Sequence, residues 1–150
     1  MKSAKRTLFE ERVSYLNGLF ATGNLPEALD QFSEPLTIYV EDRLVSSPDR
    51  TYLAGMIREF GSHLAAQGAT DMGGEIIAFH ESARGFRALV QGRAKFNGEC
   101  RDTMKVEYFC RMVGDDFKIE MLVVTDLADS TIKHLKSTKK ATIAEGMPND

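Results

Sequence analysis

The chain has 150 residues, 43% of them hydrophobic. That is the size of one domain, able to bury roughly two-thirds of the surface its unfolded form would expose. Acidic and basic residues are interspersed and the formal charge is -3, which leaves no electrostatic footprint for nucleic acid or for an anionic membrane surface.

The amino terminus is basic, but Glu10, Glu11 and Arg12 stand where a secretory segment would need apolar residues. No run approaches the ~18 apolar residues of a membrane span, so a cytoplasmic protein is expected. From Lys5 to Ala21 the apolar residues Leu8, Val13, Leu16, Leu19 and Phe20 recur at helical spacing, flanked by Phe9 and Tyr15, and Gly23-Asn24 ends the pattern. Leu25 to Phe32 reads as a short second helix with Pro26 in its first turn and Pro35 as the stop. Leu36 to Asp42, with Thr37, Ile38 and Val40, predicts a strand. Ser47-Pro48-Asp49 predicts a helix start, the serine accepting from exposed amides, and Leu53, Met56, Ile57, Phe60 and Leu64 form its stripe as far as Gln67 and Gly68.

The period then changes from helical to alternating. Glu75 to Ser82 and Phe86 to Phe96 read as two strands around Ala83-Arg84-Gly85, and Asn97-Gly98 is a strong hairpin signal. Met104 to Val113 places Met104, Val106, Tyr108, Cys110 and Met112 on one face. Phe117 to Asp126 follows after Gly114-Asp115-Asp116. Phe117, Ile119, Met121 and Val123 fall on one of its faces, with Leu122 and Val124 on the other, which predicts a strand covered on both sides. Beyond Leu127 apolar residues thin out, so residues 128–150 are expected to be a mobile extension of a domain spanning 5–127. Cys100 and Cys110 lie ten residues apart. On one strand that is about 33 Å at roughly 3.3 Å per residue, too far to pair. They have neither CxxC spacing nor a nearby histidine, so no metal or cofactor is expected.

Helices first, one strand between the second and third, then four long strands define an α+β arrangement, a curved antiparallel sheet wrapped around N-terminal helices. This layout resembles the nuclear-transport-factor-2-like superfamily, which includes SnoaL-like polyketide cyclases and ketosteroid isomerases. The residues that carry the resemblance are the helix pair Tyr15 to Phe32 around Gly23-Asn24-Leu25-Pro26, the strand Leu36 to Asp42, the helix start Ser47-Pro48, and the closing YFCRMVGDDFKIEMLVVTD. The resemblance implies a cystatin-like cone enclosing an apolar cavity, and a homodimer packing sheet against sheet. The surplus apolar Leu122 and Val124 suit such a dimer independently.

In ketosteroid isomerases a first-helix tyrosine, a first-strand aspartate base and a protonated aspartate on the penultimate long strand together stabilise an enolate. Counting along this chain, those positions fall at Leu16 beside Tyr15, at Val40 with Asp42 two residues on, and at Tyr108. The expected catalytic candidates are therefore Tyr108 as donor to a ligand carbonyl, Asp42 as a base at the cavity mouth, and His80 if its face is concave. The expected ligand contacts are Tyr15, Leu16, Tyr39, Val40, Met56, Phe60, Cys110, Glu120 and Leu122. Glu120 depends on the register across Gly114-Asp115-Asp116, and the apolar set Phe117, Ile119, Met121 favours Glu120 outward. His63 reads as helix-edge packing and His134 as exposed.

Two functional classes fit. One is a SnoaL-like protein that binds a small, largely apolar molecule in the cone, with Tyr108, Asp42 and His80 available for acid/base chemistry. The other is a non-catalytic dimerisation or association domain.

Overall fold

A computed structural model of the chain describes residues 3–21 and 25–126. The predicted extension 128–150 and His134 lie outside the described residues, as do the side chains of Tyr15 and Leu16. Helix α1 spans Ala4–Ala21, and α2, Leu25–Ala28, continues into a 3-10 turn at Leu29–Gln31. Strands β1 (Phe32–Val40) and β2 (Arg43–Leu44) precede α3 (Arg50–Ala66). Strands β3 (Ala69–Glu81), β4 (Gly85–Phe96), β5 (Glu99–Val113) and β6 (Asp116–Thr125) complete the fold.

All six strands belong to one sheet in the order β2-β1-β6-β5-β4-β3. The β3 to β6 meander is antiparallel, as expected, but β1 pairs with β6 in parallel, so the sheet is mixed. The long path from β1 through α3 and the meander brings β6 back beside β1 running the same way, which no local pattern reveals. β1 begins before Pro35 rather than after it. Its pairing with β6 shifts register between Phe32 and Thr37, the stretch where proline has no amide to donate to a ladder.

The start of α3 also differs from expectation. Asp49 is the N-cap, its carboxylate accepting from the Tyr52 amide at 2.9 Å. Ser47 is instead buried and bridged to Leu36 by two backbone hydrogen bonds of 2.8 Å each. The turn signals did hold. Asn97 and Gly98 both adopt positive φ, 55° and 81°, as a type I′ hairpin requires, and Gly68 at 85° ends α3.

The inner face of the sheet follows from cross-strand partners, which share a face. Ala88, Tyr108, Leu122 and Ile38 form one row, and Val90, Val106, Val124 and Val40 the next. Phe9 of α1, only a flanking residue in the sequence pattern, is fully buried against this face. Its ring centroid lies 5.5 Å from Phe86, 5.9 Å from Phe117 and 6.4 Å from Phe79. These aromatics fill the end of the core beside the β3-β4 and β5-β6 hairpins, where each buried ring contributes about 1.5–3 kcal/mol. Arg12 of α1 reaches both carboxylate oxygens of Asp116 at 3.3 Å, and Gln31 adds a bond to the same carboxylate at 3.0 Å. Helix and hairpin are thereby tied at that end.

Candidate functional site

The break in alternation on β6 has a simple cause. Pairing with β5 shifts between Phe109 and Cys110, so Cys110 faces Ile119 while Phe109 faces Met121, and Glu120 is an extra residue in a β-bulge. Phe117 and Ile119 point inward before the bulge, and Leu122 and Val124 point inward after it. Met121 and Val123 are therefore outward. The second covered face inferred from Leu122 and Val124 is replaced by one inner face with a kink.

Tyr108 stands on that inner face between Ala88 and Leu122, with its ring edge-on to Phe9 at 5.3 Å. Burial first, then the neighbouring Cys110, pushes its phenol up to about 12. It is thus a neutral donor throughout the physiological range. Among the described residues no group accepts a hydrogen bond from its hydroxyl. The side chain nevertheless keeps some accessible surface, as do Val40, Met56 and Leu122, which pack on the same core. With Val106 and Val124 buried behind them, Val40, Met104, Tyr108 and Leu122 form a partly uncovered apolar wall carrying one polar group. The inward positions from Phe86 to Val90, Val106 to Met112, Phe117 to Val124 and Ile38 to Val40 hold no charged side chain.

No protein-family model matches the sequence, and a search of curated proteins finds no significant match. Solved structures do match. A protein of unknown function from Shewanella oneidensis MR-1, described as NTF-2 like, superposes with a TM-score of 0.62 at 11% identity. The match covers 81% of this chain and 98% of that one. A domain of unknown function with a cystatin-like fold from Nostoc punctiforme PCC 73102 gives 0.62 at 14%, covering 93% and 88%. A candidate calcium/calmodulin-dependent protein kinase type II association domain from Thiobacillus denitrificans gives 0.59 at 12%, covering 79% and 94%. The fold is nuclear-transport-factor-2-like.

The α+β cone expected from the order of elements is therefore the observed architecture, and at these identities the likeness concerns the fold alone. Within the NTF2-like fold Tyr108, Val40, Leu122, Cys110 and Met56 lie toward the core. Phe60 is half-buried on α3.

Three other expected site residues stand elsewhere. Tyr39 pairs with Val123 on the outer face and is 37% exposed, because β1 starts earlier and alternation fixes Ile38 and Val40 as the inward pair. Asp42 belongs to no strand; with Glu41, at φ 56°, it makes the exposed two-residue turn between β1 and β2. His80 pairs with Arg87, which pairs with Phe109, so it occupies the outer face, a sheet's thickness from Tyr108. Glu120 is outward as favoured, held by Arg111 at 2.9 Å. Tyr108, Asp42 and His80 do not converge. Cys100 is exposed and Cys110 buried, both free.

The outer face holds a shallow recess of about 380 Å³ beside the β3-β4 hairpin, lined by His80, Glu81, Ser82, Arg87, Phe109 and Glu120 among others. Sequence reasoning named some of these residues separately. Only pairing across four strands brings them together.

Proposed function

We propose that this protein binds a small, neutral, largely apolar molecule inside the cone, with Tyr108 donating a hydrogen bond to a carbonyl or similar acceptor on it. The supporting observation is the half-buried phenol, a donor on a partly uncovered apolar wall with no acceptor among the described residues. A ligand oxygen accepting from this hydroxyl contributes about 0.5–1.5 kcal/mol net, while the apolar wall receives the rest of the molecule. The uncharged inward positions favour a ketone or ester over a carboxylate. A lone phenol polarises a carbonyl but takes no proton from carbon. Binding, rather than isomerase- or cyclase-like turnover, is therefore the reading these residues support.

A thermal-shift panel of neutral cyclic ketones, with matched hydrocarbons and matched carboxylates, tests it. Ketones should raise the melting temperature of wild type and largely fail with Tyr108→Phe. Equal stabilisation of both proteins by every hit would remove Tyr108 from the site.

We propose homodimerisation through the outer sheet face as the assembly. Tyr39, Leu89, Met121 and Val123 all project there and none is fully covered, a distribution that suits a partner sheet. Sedimentation at micromolar concentration decides this, and a monomer mass would end it.

A further inference from the structure

The four arginines of β4 and β5 are not treated alike. Arg93 holds Glu75 at 2.7 Å and Asp102 at 3.2 Å, Arg101 holds Glu99 at 3.5 Å, and Arg111 holds Glu120 at 2.9 Å. Arg87 has no carboxylate partner among the described residues. Its guanidinium instead lies over the Phe109 ring, 5.8 Å from the centroid, an arrangement that leaves its in-plane donors unused. His80 is its direct cross-strand neighbour and likewise has no ion-pair partner among the described residues. Two carboxylates line the same recess: Arg111 engages that of Glu120, and that of Glu81 is exposed. Arg87 and His80 beside an aromatic ring thus face a recess of about 380 Å³, toward the lower end of the range for small-molecule sites, about 300–1,000 Å³.

We infer that this outer recess binds a small aromatic carboxylate, the carboxylate on Arg87 and His80 and the ring against Phe109. Arginine matches a carboxylate with two parallel hydrogen bonds, which a neutral alcohol cannot reproduce. The volume admits one ring. The site is separate from the Tyr108 wall, on the opposite face of the sheet, and differs from it in charge preference.

The experiment is a titration of the isotope-labelled full chain with sodium benzoate, followed by amide chemical shifts, with acetate and benzyl alcohol as comparison probes. Benzoate should give saturable shifts concentrated on residues 80–87, 109–111 and 118–120, with acetate and benzyl alcohol each weaker. Arg87→Gln should weaken benzoate by about tenfold or more, the loss of a charge-assisted bidentate contact. Phe109→Leu should weaken benzoate but not acetate. Arg93→Gln removes the same charge from the same strand outside the recess and should leave benzoate binding unchanged. No saturation at tens of millimolar, shifts confined to the core, or equal losses in Arg87→Gln and Arg93→Gln would each overturn the assignment. The last outcome would reveal charge attraction without a site.

Discussion

Replacing Tyr108 by Phe deletes one oxygen and keeps the ring that packs edge-on against Phe9. If Tyr108 were an ordinary core tyrosine with a satisfied hydroxyl, the change would cost about 0.5–1.5 kcal/mol. Here the hydroxyl meets no acceptor among the described residues and the side chain keeps accessible surface, so little is lost with the oxygen. Tyr108→Phe should therefore change the stability of the ligand-free protein by less than about 0.5 kcal/mol. In a domain of this size that is a melting-temperature shift of under about 2 °C.

Alkaline pH supplies an independent check on the same atom. The folded phenol keeps its proton to about 12, whereas an unfolded tyrosine releases it near 10. Between those values the folded chain binds more protons than the unfolded one. The contribution is therefore intact below about pH 10 and is lost as pH rises, by about 1.4 kcal/mol per pH unit. Urea unfolding from pH 8 to 11 should show wild type losing stability faster than Tyr108→Phe. A mutant destabilised by ~1 kcal/mol or more at pH 7 would reveal a protein acceptor for the hydroxyl, and parallel curves above pH 10 would refute the raised phenol.

Gly85 approaches β5 so closely that an added Cβ would lie 2.0 Å from the Cys110 carbonyl oxygen. Gly85→Ala should therefore cost about 1–3 kcal/mol in chemical denaturation, and a neutral result would contradict the close approach. Burial works to raise the Asp116 carboxyl, but bonds from Phe117, Gln31 and Arg12 outweigh it and hold it below the usual carboxylate range. Its stabilisation is present above that range and lost as pH falls through the lowered value, so Asp116→Asn should flatten the acid side of the stability profile. Asp49→Ala should lower stability by about 1 kcal/mol through loss of the α3 cap, whereas Ser47 acts through burial and its bridge to Leu36. Leu122→Lys should unfold the protein, because Leu122 faces the core. Met121→Lys on the outer face should leave the fold intact while converting any dimer to monomer in sedimentation.

Helix stripes, turn residues and the long alternating runs made the α+β class and most element positions legible in the sequence. Those signals are local: a helical period, a glycine at positive φ, an Asn-Gly hairpin. Edge strands were harder. The first half of β3, Ala69 to Gly74, shows no alternation because it is exposed and bulged, and β2 is only two residues. Tyr108 was legible as an inward residue because β5 alternates cleanly on both sides of it. The site around Tyr108 was only partly legible, since Tyr39 and Asp42 depended on where β1 begins and ends.

By itself, the sequence determined the hairpin and helix-end glycines, the helices and most of the long strands, and that Tyr108 belongs to an apolar face. Tertiary structure alone decided the parallel return of β6 beside β1, the bulge at Glu120 that points Leu122 inward, and the separation of His80 from Tyr108 by the sheet. The physical reason is that strand alternation says only that two residues differ in face. Which face meets the helices, and where one extra residue inverts the pattern, is set by pairing between segments far apart in the chain.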